Sequence, residues 1–204
     1  MIYKLSERIY ELESQGKNII KLNVGEPDWR PPNRAIQALF DSVKSGKDKY
    51  ASSSGEKLLR EKIAEIHGCN ANNVVVVPGS KWGIYALMKL HLSSSENSII
   101  FSPHWTAYEL MSKSLGLNTK IIKLKIENNW KPDFEVLKKT IDSKTKLIIM
   151  NSPCNPTSRA WSADEEKQLF EIAEKKGIVV LADDSYRDLC FEKRAVRQFE
   201  NGMF

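Results

Sequence analysis

Residues 146–186 read KLIIMNSPCNPTSRAWSADEEKQLFEIAEKKGIVVLADDSY, and this run sets the fold class. Lys146-Leu147-Ile148-Ile149-Met150 is a short apolar strand. Ser162 and Glu165 have capping-box spacing, in which each side chain bonds the other's backbone N–H at a helix start. The helix they open runs to Lys176 and stops at Gly177, and Ile178-Val179-Val180-Leu181-Ala182 is a second apolar strand. Two strands joined through a helix form a crossover, which makes them parallel. Their continuous apolar character fits a sheet covered on both faces.

The same alternation extends upstream. Val74-Val75-Val76-Val77, Ser98-Ile99-Ile100-Phe101 and residues 119–126 read as strands, and residues 81–92, 106–115 and 133–141 as helices. Thr106 with Glu109, and Ser53 with Glu56, repeat the capping-box spacing. Nearer the start, residues 3–15, 33–45 and 56–67 carry apolar residues at helical intervals, and Ile19–Val24 is a short extended piece. The expected fold is therefore α/β: a mostly parallel sheet of five strands with helices on both faces.

Composition narrows the function classes. The chain has 204 residues, 41% hydrophobic and 28% charged, which suits a soluble globular protein with one main core. No apolar stretch approaches the roughly 20 residues needed to cross a bilayer, and the start lacks the basic and apolar regions of a secretory signal. Net charge is +5, but the lysines are scattered beside glutamates, as in Glu171 and Lys175, which reads as a solvated surface and not a nucleic-acid face. Cys69, Cys154 and Cys190 are far apart, and His67, His91 and His104 lack ligand spacing. No disulfide framework and no metal site is expected, and a reducing cytoplasm fits best.

In open α/β sheets, ligands bind beyond the carboxyl ends of the strands. Pro78-Gly79-Ser80-Lys81 follows the first strand and leads into a helix, whose free N–H groups and dipole suit a phosphate. Ser102-Pro103-His104-Trp105, Asn151-Ser152-Pro153-Cys154-Asn155-Pro156-Thr157 and Ala182-Asp183-Asp184-Ser185-Tyr186 follow later strands. Each residue has an ordinary alternative: Trp105 a core residue, Asn155-Pro156 a turn, Asp183 a helix cap. Together they supply an aromatic face, an amide, a carboxylate and a phenol beside a phosphate cradle, a set that suits a flat, phosphorylated, nitrogen-containing ring.

The combination resembles the fold-type I, class I/II aminotransferases, in particular the aspartate aminotransferase-like branch. The resemblance rests on Leu22-Asn23-Val24-Gly25-Glu26-Pro27-Asp28, on Tyr50 with Gly55, Leu59, Arg60, Ile63 and Ala64, and on the four strand-end segments just quoted, in order along nearly the whole chain. It implies pyridoxal 5'-phosphate as cofactor and an amino acid and 2-oxo acid as substrates. By that resemblance, Asp183 pairs with the pyridine nitrogen, Asn155 and Tyr186 bond the ring's phenolic oxygen, and Trp105 stacks on the ring. Ser80 and Lys81 hold the phosphate through their backbone N–H groups. Tyr50 reaches the phosphate of a neighbouring subunit, implying a homodimer. Gly25, with Trp105 and Asn155, faces the substrate. Ser102–Pro103 and Asn155–Pro156 are expected as cis bonds.

Departures from the family pattern matter as well. Ser158 stands where the family has glycine, and Asp184 where it has glutamate. The segment carrying the Schiff-base lysine has no match in the 204 residues, and neither do the arginines that clamp phosphate and carboxylate. Glu200–Phe204 resembles the approach to the strand before that lysine. The expected organisation is an N-terminal arm or small-domain segment at 1–30 and the first, incomplete part of the large cofactor domain at 31–204. A missing C-terminal half would then complete the enzyme, with no catalytic residue in this chain. The alternatives are a truncated or split non-catalytic product and another enzyme of the same fold, such as a C–S lyase.

Overall fold

A computed structural model describes residues 2–25, 27 and 29–190; Glu26, Asp28 and the Glu200–Phe204 approach lie outside the described residues. The chain divides into two compact units, residues 1–50 and 51–204.

The first unit holds helices α1 (Ile2–Ser14) and α2 (Asn33–Lys44). After α1 the chain returns along it: Lys21 pairs with Glu13 at 3.1 Å, and Asn23 donates to the Ser6 hydroxyl at 3.2 Å. The expected extended piece at 19–24 joins no sheet. Helix α2 forms where the 3.6-residue apolar period placed it, with Ile36, Leu39, Phe40 and Val43 all more than half exposed.

The second unit contains α3 (Lys57–His67), α4 (Ser80–His91), β1 (Asn97–Ser102), α5 (Ala107–Ser114), β2 (Asn118–Lys123), α6 (Phe134–Thr140), β3 (Thr145–Asn151), α7 (Ala163–Lys176) and β4 (Val179–Asp183). The strands form one parallel sheet in the order β2-β1-β3-β4. Alternate side chains go to opposite faces. Ile99, Phe101, Ile148 and Met150 pack with Leu137, Trp161 and Leu169 from the α6 and α7 side. Ile100, Leu147 and Ile149 pack with Ile84, Met88 and Tyr108 from α4 and α5. Helices therefore cover both faces, which is why every residue of β1 from Asn97 to Phe101 is buried.

Three expectations are corrected. Val74–Val77 is not a strand: Val74 is extended and buried, but Val75 and Val76 are exposed, and the segment joins no ladder. An apolar run does not by itself make a strand, which also needs a ladder partner, and the four strands described here do not include one for it. The backbone contact is local instead, from Val76 N–H to the Ser54 carbonyl at 2.9 Å. Gly55, at φ +99°, makes that approach possible, because a Cβ there would lie 2.5 Å from Val76 Cβ. Neither Ser53–Glu56 nor Thr106–Glu109 forms a capping box. Glu56 is itself the residue before α3, and Thr106 sits in helical geometry without a side-chain cap bond. Ser162–Glu165 does form the reciprocal pair.

Candidate active site

The carboxyl ends of β3 and β4 are in register, so Asn151 stands beside Asp183. Asn151 Nδ2 donates to the Asp183 carbonyl at 2.9 Å, and its Oδ1 accepts from Asn155 N–H at 2.8 Å. One buried amide thus ties the last residue of β4 to the 151–157 loop. That loop contains cis bonds at Ser152–Pro153 and Asn155–Pro156, and the loop after β1 has one at Ser102–Pro103. Two of these were expected; the one at Pro153 was not. Ser158 lies at φ +59°, a left-handed conformation that favours glycine. Beyond it, Arg159 Nη2 grips both Glu165 oxygens at 2.7 Å. Burial works to raise the Glu165 pKa, but the Arg159 guanidinium and the Ser162 amide outweigh it, so the net shift is downward.

A cavity of about 180 Å³ opens at this end of the sheet, lined by Ser80, Trp105, Tyr108, Asn151, Asn155, Asp183, Ser185 and Tyr186. Five of the eight were expected from sequence: Ser80, Trp105, Asn155, Asp183 and Tyr186. Lys81 sits beside it, with Nζ 5.3 Å from the Trp105 ring centre. Asn155 Nδ2 contacts the Tyr186 hydroxyl at 3.2 Å. Gly25 and Tyr50 belong to the first unit, where Tyr50 is fully exposed.

Asp183 is buried, and its carboxylate is held on both oxygens. Tyr108 Oη donates to Oδ2 at 2.5 Å, while Ser185 Oγ and N–H donate to Oδ1 at 2.7 and 3.1 Å. Among the described residues no ion pair forms to it. Burial, followed by the Asp183 charge, pushes the Tyr108 phenol pKa well above its ordinary value. Tyr108 also meets the edge of Trp105, with ring centres 5.5 Å apart and planes at 90°. Sequence reading missed Tyr108, Asn151 and Ser185 as site residues. The available signal was their position at or near strand ends, with Tyr108 one turn beyond Trp105.

At the phosphate-suited end, Gly79 precedes α4 at φ +94° with no side chain capping the helix. The first-turn N–H groups of a helix lack intrahelical partners, and Ser80 brings that turn to the cavity wall. A buried carboxylate with no cation beside it among the described residues, an aromatic face and a helix start without a side-chain cap are the groups that a flat ring carrying a protonated nitrogen and a phosphate requires. The residues present therefore fit pyridoxal 5'-phosphate. Among the described residues no cluster of three or more His, Cys, Asp or Glu could hold a metal ion, and no helix is long and apolar enough to cross a membrane.

Fold and site together define an α/β protein whose strand-end cavity presents an aromatic face, a carboxylate and a helix start. The sequence model of aminotransferase class I and II matches residues 17–202, and the chain belongs to that family. It is 32% identical over 192 residues to the aspartate aminotransferase of Thermococcus kodakarensis, covering 94% of this chain and 49% of that protein. It is 31% identical over 194 residues to a probable aspartate/prephenate aminotransferase of Rickettsia felis, covering 91% and 47%. Among solved structures, the aspartate aminotransferase of Thermus thermophilus with maleate superimposes with a TM-score of 0.91 at 26% identity, covering 98% of this chain and 53% of that one. The chain spans about half the length of the curated relatives it matches.

Proposed function

We propose that these residues form the cofactor-facing part of a pyridoxal 5'-phosphate aminotransferase that moves an amino group between an amino acid and a 2-oxo acid. The observation that carries this reading is the Asp183 carboxylate, buried with no ion pair among the described residues and fixed by Tyr108 and Ser185. Bound there, the cofactor would supply an electron sink for charge developing on the substrate α-carbon. Asp183 would keep the ring nitrogen protonated by accepting its N–H. Trp105 would cover the ring face and exclude water, and Asn155 and Tyr186 would bond the phenolic oxygen. The α4 start at Ser80 and Lys81 would neutralise the phosphate.

The aminotransferase reading is favoured over a lyase because the quoted relatives are named as aminotransferases. We assign residues 1–30 to an arm and 31–204 to the large cofactor domain. A homodimer in the cytoplasm, with Tyr50 reaching a neighbouring subunit and Gly25 over the substrate, completes the proposal. Proton transfer at the α-carbon needs a positioned base, and the family's lysine segment has no match among these 204 residues. The purified chain with pyridoxal 5'-phosphate is therefore expected to transaminate aspartate and 2-oxoglutarate no faster than free cofactor. Quenching of Trp105 fluorescence by pyridoxamine 5'-phosphate, lost in Asp183→Ala, tests the site itself. Unaltered quenching in that variant would refute the assignment.

A further inference from the structure

We infer that Tyr108 is a positioning residue which aims the Asp183 carboxylate at the nitrogen of a bound pyridine ring while bracing the aromatic that covers that ring. Two independent contacts carry this. The phenol donates to Asp183 Oδ2 at 2.5 Å, and the same ring supports Trp105 edge-on at 5.5 Å. Tyr108 is 2% exposed and lies in the first turn of α5, packed among Ile100, Ile149 and Leu181. It cannot swing away without opening the core. Ser185 holds the other carboxylate oxygen from the loop after β4. Asp183 is thus clamped from two elements, and its two oxygens have different partners.

A carboxylate restrained in this way has little freedom left to rotate. Hydrogen bonds to an ionised acceptor are roughly twice as strong as neutral ones. Tyr108 therefore fixes the direction from which Asp183 accepts. The residue acts through Asp183, so its effect must depend on whether the ligand has a ring nitrogen at all. A role limited to packing against Trp105 would not.

The inference rests on the proposed function, and the test separates the two. Binding of pyridoxamine 5'-phosphate to the 204-residue chain is compared with binding of its carbocyclic analogue, in which C–H replaces the ring nitrogen. Each is followed by tryptophan fluorescence in the wild type and in Tyr108→Phe. The expected result is that Tyr108→Phe weakens the pyridine ligand about tenfold and leaves the carbocyclic one within about twofold. Equal weakening of both would overturn the positioning role while leaving the site reading intact. Failure of the wild type to bind either ligand would overturn the site reading and this inference with it. Should Tyr108→Phe not fold, the unaltered chain provides the measurement. The Tyr108 hydroxyl proton, shielded between phenol and carboxylate, should give a downfield resonance that moves with the pyridine ligand more than with the carbocyclic one. Equal movement would overturn the inference.

Discussion

Tyr108 Oη and Asp183 Oδ2 lie 2.5 Å apart, joining the first turn of α5 to the last residue of β4 across 75 positions of sequence. The contact sits where the sheet ends and the cavity begins, so it bears on both stability and binding.

Its titration has a defined sign. A phenol whose folded pKa is raised stays protonated where the unfolded chain's tyrosine ionises, at about pH 10. The stabilisation is fully present below that pH and falls away above it, because the folded state then holds more protons than the unfolded one. Tyr108→Phe should flatten the alkaline fall in urea-unfolding stability. An identical alkaline slope in wild type and variant would contradict the assignment.

Arg159 and Glu165 form a largely buried pair between the 151–157 loop and α7. Removing one partner of such a pair leaves the other charge uncompensated, at about 3–5 kcal/mol. Arg159→Met should lower the urea midpoint by a corresponding amount. The Glu165 pKa is lowered, so the pair's contribution holds above the ordinary carboxylate pKa and is lost as pH falls through the depressed one. A variant as stable as wild type at neutral pH would refute this.

Ser158 occupies left-handed backbone, which costs a side-chain-bearing residue about 1–2 kcal/mol. Glycine removes that strain but restores about 0.4–1 kcal/mol of unfolded-state freedom. Ser158→Gly is expected to gain about 0.5–1 kcal/mol, read by differential scanning calorimetry. A lower transition temperature would show that the serine side chain has a compensating role.

Hydrogen exchange should separate the two apolar runs that look alike in sequence. The amides of Ile148 and Ile149 lie in the sheet interior and should exchange slowly, while Val75 and Val77 should show little protection in a dilute monomer. Slow exchange throughout residues 74–77 would mean that this segment has found a partner strand.

Much of the second unit was legible because its strands are covered on both faces. Ile99-Ile100 and Leu147-Ile148-Ile149 are consecutive apolar pairs and triplets, a pattern that a half-exposed strand does not need. Val74–Val77 carries the same pattern, yet it joins no ladder among the described residues and leaves Val75 and Val76 exposed, because an apolar run does not specify which strand lies beside it. Capping spacing behaved similarly: Ser162 meets Glu165, but Thr106 does not cap α5, and Glu109 turns to His104 Nε2 at 3.0 Å instead. Strand-end position found Trp105, Asn155 and Asp183. Tyr108 escaped because its partner, Asp183, lies 75 positions away on another element, which no local window contains.

The cavity walls come from four segments far apart along the chain, around Ser80, Trp105, Asn155 and Asp183, so the cavity exists only where the fold brings them together. Occupancy is therefore thermodynamically coupled to folding. Any molecule that fits only the assembled cavity will shift the folding equilibrium by mass action, by about 2.7 kcal/mol at a hundredfold excess over its dissociation constant. Thermal-shift screening can thus rank ligands by affinity without any chemical turnover.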